Sequence, residues 1–265
     1  LPYLCSFLDD YINEEGDSSS PLVVAFALKS ITSLIQSVSC ITPLNALIFP
    51  EYLLAKLANL INTSSKDDRC LIRSTVATCL PPLSTCAKKF WAMSKLFKAE
   101  DDAFVISKAL LDEDFEYLTS TLLVDNSSDV KMSLLAEILP LCEYFGVDKT
   151  NDLILPHLLT YLNDQDTKLR LAFLNSLIDI GPYIGVLAFE QYLLPLLVQT
   201  LCDTELFVIL KVLEIFYKVL ARKLINPVTH FNALNIYDEI LGGCINLLVF
   251  PNEWVRQSIL NIILE

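Results

Sequence analysis

Leu155-Pro156-His157-Leu158-Leu159-Thr160-Tyr161-Leu162 is answered 39 residues later by Leu194-Pro195-Leu196-Leu197-Val198-Gln199-Thr200-Leu201. The leucines and the proline coincide. The same shift carries Asp164 to Asp203, Leu169 to Val208, Leu174 to Leu213 and Leu177 to Phe216. Moved the other way, Asp164 falls on Asp125, Leu169 on Val130, Arg170 on Lys131, Leu174 on Leu135, Tyr183 on Tyr144 and Gly185 on Gly146. Three consecutive units therefore share one period, which marks a repeat architecture. Farther out the spacing loosens. Pro50-Glu51-Tyr52-Leu53-Leu54 resembles Glu190-Gln191-Tyr192-Leu193-Leu194. Val255-Arg256 echoes Val208 after 47 residues, and Ile72-Arg73 precedes Val130-Lys131 by 58.

Within a unit the pattern is helical. Leu155, Leu158, Leu159 and Leu162 follow the i, i+3, i+4, i+7 rule, and Leu169, Phe173, Leu177 and Ile180 trace a similar stripe after a short polar turn. Each unit thus reads as helix, tight turn, helix. The turns Asp125 to Asp129, Asn163 to Asp166 and Cys202 to Thr204 carry residues suited to accept from free helix N–H groups. One hairpin cannot bury two wide apolar faces, whereas stacked neighbours can. The period and the two-helix unit predict an all-α fold: an α-solenoid of about six HEAT-type antiparallel helix pairs. The units are approximately 1–40, 43–96, 112–146, 148–185, 187–225 and 229–265, in a single array over 1–265 with an insertion at about 97–111. At 8–10 Å between helix layers, six pairs would stretch to roughly 60 Å. Pro81 and Pro82 fall inside a helix and predict a kink or break there. Asn13 to Ser20 reads as a surface connection, and Leu174→Asp is expected to unfold the array locally.

Composition supports this and excludes other classes. Of 265 residues, 53% are apolar and 19% charged, with only 6 glycines; such a chain folds, and favours helices over turn-rich β structure. The net charge of −13 repels phosphate backbones and anionic headgroups. No nucleic acid and no direct membrane insertion are therefore expected. The small basic clusters Lys88-Lys89 and Arg222-Lys223 read as solvated helix ends. No predominantly apolar run is read as long enough to cross a bilayer, and no signal peptide opens the chain. The 8 cysteines form no C-x-x-C and sit in apolar helical surroundings, which predicts reduced thiols and a cytoplasmic setting. Leu1 in place of Met, and an apolar helical pattern running to Glu265, read as a segment of a longer protein.

Catalytic chemistry has few candidates. The 2 histidines, His157 and His230, lack a nucleophile at matching spacing, and His157 is expected to pack or bond locally. No phosphate loop or kinase signature occurs. Asp164 and Asp166 read as caps, Trp91 and Trp254 as packing residues. Asp164 and Arg170, recurring as Asp125 and Lys131, are suited to bond across neighbouring turns and set the angle between repeats. The reading assigns no catalytic, cofactor-binding or metal-ligating residue and no cofactor.

Ile154 to Asp164, followed by Leu169-Arg170-Leu171-Ala172-Phe173-Leu174-Asn175-Ser176, resembles the central repeat region of the phosphoinositide 3-kinase regulatory subunit 4 family. Ile48 to Leu54, Tyr192 to Leu197 with Phe207-Val208-Ile209, and Trp254-Val255-Arg256 agree, in the same order along the chain. The resemblance implies a non-catalytic scaffold between a kinase-like domain and a WD40 propeller. Its implied partners are the class III lipid kinase catalytic subunit and Beclin-type regulatory subunits. It also implies a role in autophagy and endosomal or vacuolar sorting, peripheral on those membranes through the complex. A HEAT adaptor of another complex, such as a transport receptor or phosphatase scaffold, is the alternative.

Overall fold

The computed structural model describes residues 2–13, 20–41, 48–63, 70–95, 108–221 and 233–264. Among them every regular element is helical. By compactness the chain divides into two units, Leu1–Phe145 and Gly146–Glu265.

The first unit contains α1 (Pro2–Asn13), α2 (Pro21–Ser37), α3 (Leu54–Thr63), α4 (Cys70–Ser94), α5 (Lys108–Leu123), α6 (Ser128–Leu135) and the start of α7 (Leu139–Lys149). α1 pairs with α2, α3 with α4 and α5 with α6. The first helices of the pairs stack as α1–α3–α5, the second helices as α2–α4–α6. This is the two-layered arrangement in which each pair covers its neighbour's apolar side. Leu28, Ile31, Leu57, Val76, Leu80, Leu83, Phe115 and Leu122 are almost fully enclosed between the layers.

The second unit repeats the plan with α8 (Leu155–Tyr161), α9 (Thr167–Ala188), α10 (Leu194–Thr200), α11 (Leu206–Leu220), α12 (Ala233–Ile245) and α13 (Glu253–Leu264). Here α9, α11 and α13 stack in order, and α10 packs on α12. The stripes read from the sequence face inward: Leu158, Leu169, Phe173, Leu174, Leu177 and Ile180 have no exposed surface.

Three hairpins enter their first helix through a wide π turn, at Phe49–Leu53, Thr150–Ile154 and Phe189–Leu193. The closing amides of Leu54, Leu155 and Leu194 reach back five residues, to the carbonyls of Phe49, Thr150 and Phe189. In two of them a proline follows at once, Pro156 and Pro195. A proline ring clashes with the carbonyl four residues earlier in an α-helix, and a widened turn relieves that clash.

Two expectations are corrected. α4 runs unbroken from Cys70 to Ser94 through Pro81 and Pro82. Packing compensates: Pro81 is buried, and Ser84 Oγ donates to the Pro81 carbonyl at 2.7 Å and reaches the Pro140 carbonyl at 3.3 Å. Secondly, the continuous helical run Thr167–Thr200 is long and apolar enough to cross a membrane. Polar residues within it, among them Asn175, Ser176, Asp179, Glu190 and Gln191, keep its apolar residues from forming one unbroken stretch. In the fold, Gly185 turns the chain inside this run with φ +77°, and its apolar face is taken by α8 and α11. It serves as core, as buried helices of ordinary proteins do. The inside of the connection from Asn13 to Ser20 (14–19), Arg222-Lys223, His230 and most of the insertion at 97–111 lie outside the described residues; α5 begins at Lys108.

Candidate functional site

Among the described residues, four turns that lead into a second helix are each built on one residue. Asp125 Oδ1 accepts the amide of Ser127 at 2.8 Å, Asp164 Oδ1 that of Asp166 at 2.9 Å, and Asp203 Oδ1 that of Glu205 at 2.8 Å. Asn252 Oδ1 does the same for Trp254 at 2.9 Å. Each closes an Asx turn that aims the chain into the second helix. The aspartates read as caps thus act two residues before the cap, on the capping residue's own amide. At the helix start itself Asp166 accepts from Lys168 N–H at 2.9 Å, and Asn252, directly before α13, accepts there too, from Trp254 N–H.

An arginine one turn into the second helix then ties consecutive pairs together. Arg73 on α4 holds Asp125 of the next pair with two bonds, Nε to Oδ2 at 2.7 Å and Nη2 to Oδ1 at 3.3 Å. Arg170 on α9 donates Nη1 to its own turn, the carbonyls of Asp164 at 2.8 Å and Gln165 at 3.3 Å. Its Nη2 reaches forward to Asp203 Oδ1 at 3.0 Å. Nε lies 2.9 Å from Asp203 Oδ2 as a charge contact without hydrogen-bond alignment. The side chains in these pairs are 8% to 11% exposed, so the charges are largely desolvated and depend on one another. Arg170 therefore pairs with the aspartate of the following turn and braces its own turn through backbone carbonyls.

Other sequence candidates resolve separately. Lys88 donates to the Glu143 carbonyl at 3.2 Å and Lys89 to the Val38 carbonyl at 2.5 Å, so both lysines tie α4 to neighbouring segments. Trp91 is half-buried beneath the Lys95 ammonium, 3.6 Å from the ring centroid. Trp254 is 60% exposed, so it is a surface residue and not the packing residue expected. The reason is its place one residue before the inward-facing Val255. His157 is half-buried on α8, where its carbonyl accepts from Thr160 Oγ1 at 2.6 Å.

All eight cysteines are free thiols, and five are buried. Burial pushes the Cys244 thiol up to about 11 and raises Cys79 and Cys86, which removes thiolate character at neutral pH. Burial, with Cys5 nearby, pushes Tyr52 up to about 12. Burial also raises Tyr144, aided by its bond to Asp112 at 2.7 Å. These shifts keep the groups neutral inside packed helices and bring no acid and base together. Among the described residues no group of three or more His, Cys, Asp or Glu is placed to hold a metal ion. Two shallow grooves run between second helices, one between α4 and α6 beside Leu71 and Met132, another between α11 and α13 beside Tyr217 and Leu264. What the arrangement offers is a row of helix pairs locked by charge, with side chains presented along it.

Comparison with known proteins follows the same line. A putative serine/threonine-protein kinase VPS15 of Komagataella pastoris is 42% identical over 265 residues, covering all of this chain and 18% of its own length. Serine/threonine-protein kinase vps15 of Schizosaccharomyces pombe is 38% identical over 99% of this chain and 15% of its own length. The chain thus spans less than a fifth of either relative. Among solved structures, an engineered protein superposes with a TM-score of 0.53 over 98% of this chain and 96% of its own, at 13% identity, a likeness of fold alone. The PIK3R4-like middle domain matches residues 1–265, and the chain belongs to that family.

Proposed function

We propose that this chain is a non-catalytic scaffold segment that links and positions subunits of the class III phosphatidylinositol 3-kinase complex. The observation that carries the reading is the full-length match to the PIK3R4-like middle domain, on a fold whose buried Arg–Asp pairs serve stacking and not chemistry. Its partners are proteins: the lipid kinase catalytic subunit, Beclin-type regulatory subunits, and the kinase-like and WD40 domains of the longer polypeptide. In this reading the kinase activity in the relatives' names resides outside the middle domain. The segment works in autophagy and in endosomal and vacuolar sorting, in the cytoplasm and on those membranes through the complex. The net charge of −13 supports attachment through partners over direct docking on anionic lipid.

Affinity purification of the tagged segment from its native host tests this, with Leu174→Asp as the unfolded control. Recovery of the lipid kinase catalytic subunit with the intact segment, and not with the control, is expected. Recovery of transport cargo or phosphatase subunits in its place would move the chain to the alternative class, an adaptor of another complex.

A further inference from the structure

The repeat register makes α13 comparable, position by position, with α9 and α11. Leu169, Arg170, Phe173, Leu174 and Leu177 on α9 correspond to Val208, Ile209, Val212, Leu213 and Phe216 on α11, and to Val255, Arg256, Ile259, Leu260 and Ile263 on α13. On α9 and α11 all five positions are buried, because the next pair's second helix lies against them. On α13 the row splits. Val255 and Ile259, which face α11, are fully buried, but Leu260 is 53% and Ile263 50% exposed.

Arg256 shows the same split in its hydrogen bonds. Like Arg170, it braces its own turn: Nη1 donates to the carbonyls of Phe250 at 2.6 Å and Pro251 at 2.9 Å. Arg170 and Arg73 each spend the rest of the guanidinium on the aspartate of the next turn. Among the described residues no carboxylate meets Arg256. The chain also shows what happens when a rung lacks its arginine. Ile209 stands at that position on α11, and by the same register the next turn carries Phe250 where the others have aspartate. A cation at this position, Arg73, Lys131 or Arg170, is thus followed by a turn aspartate, Asp125, Asp164 or Asp203, and the joint that lacks the cation lacks the aspartate as well. The presence of Arg256 therefore specifies an aspartate on whatever covers α13.

We infer that the face of α13 bearing Arg256, Leu260 and Ile263 is a docking surface for one further helix pair of this repeat type, whose turn carries an aspartate. The apolar residues of that pair's second helix cover Leu260 and Ile263. Its turn carboxylate takes Nε and Nη2 of Arg256, as Asp203 takes those of Arg170. Desolvating Arg256 without that carboxylate is costly, so the surface discriminates against apolar helices that lack an acidic turn. This inference is independent of the lipid-kinase reading.

A copy of the chain's own hairpin, residues 187–220, joined behind Glu265 through a flexible linker, supplies the test pair with its aspartate. Hydrogen exchange is read on the α13 amides. Protection is expected to rise at least tenfold over the unextended chain. Arg256→Ile, or Asn at the added copy's turn aspartate, is expected to remove most of that gain. The two changes together, which leave the joint uncharged as it is at Ile209 and Phe250, are expected to restore part of it. An extended chain whose α13 exchanges as fast as before overturns the inference. So does protection indifferent to Arg256 and to the added aspartate. Sedimentation of the unextended chain covers the remaining occupant: a dimer abolished by Arg256→Glu would assign the face to a second copy and overturn the inference equally.

Discussion

At the scale of single residues, Asp203 does two jobs with one carboxylate. Oδ1 closes its own turn through the Glu205 amide, while the group as a whole neutralises Arg170. These jobs separate by substitution. Asp203→Ala loses both and leaves a mostly buried guanidinium unpaired, a loss of about 3 kcal/mol in urea unfolding. Asp203→Asn keeps the turn and is expected to lose less. Arg170→Ile with Asp203→Asn removes both charges, leaving the joint uncharged as it is at Ile209 and Phe250, so the double variant is expected to fall short of the summed single losses by about 1 kcal/mol or more. The Asp–Arg spacing was legible in the sequence, but the partner was not. Arg170 reaches back to the carbonyl of Asp164 but pairs its charge across the joint with the carboxylate of Asp203. Cys244 offers a pH test at the same scale. Burial raises its thiol from 9.0 to about 11, so the fold favours the protonated form. Stability is unaffected below pH 9 and falls as pH rises from 9 toward 11, where the unfolded thiol ionises first. Cys244→Ala is expected to flatten that part of the stability–pH curve.

Among elements, the joints between hairpins are more specific than their short sequences suggest. Gly146 and Gly185 occupy the same repeat position, and both have φ +77°. A Cβ at Gly185 would meet nothing closer than Val147 Cγ1 at 4.0 Å, so space is no obstacle and only backbone conformation disfavours a side chain. With ψ 164° the residue lies in a region essentially reserved for glycine, so Gly185→Ala is expected to cost about 1–3 kcal/mol by thermal or urea unfolding, with helix content preserved. A loss well above that would mean the glycine contributes packing as well. The repeated glycine was visible in the alignment of units, and so was the Leu-Pro that follows the joint. The π turn between them was not, because it arises from the need to fit a proline ring into a helix already held on both sides. Pro81 and Pro82 teach the converse. Local propensity argues for a break, but α4 is packed against α2 and α6 along its length, and tertiary contact overrides the local preference.

For the molecule as a whole, stability is distributed along stacked pairs, and each interior position serves two neighbours. Leu174 has no exposed surface on α9, which α11 covers. Leu174→Asp is expected to cost on the order of 4 kcal/mol or more, since it buries an unpaired charge. Hydrogen exchange should show the loss concentrated in α8 to α11, and not spread evenly. Unchanged melting would mean that the inner face has been assigned to the wrong stripe. Leu260→Asp, at the equivalent but 53% exposed position of α13, is expected to be nearly neutral in the same chain, and the contrast measures what a covering pair contributes.

The sequence by itself determined the repeat and its helical period, because a 3.6-residue stripe recurring every 39 residues can bury its leucines only by stacking like on like. It also determined where the turns fall and that Asp125, Asp164 and Asp203 build them. Only the tertiary structure decided which arginine meets which aspartate, that α4 survives two prolines, and that α13 carries a row whose counterparts elsewhere are covered. Those outcomes depend on distances between segments remote in sequence, and a repeat pattern sets each hairpin's faces without setting what stands opposite them.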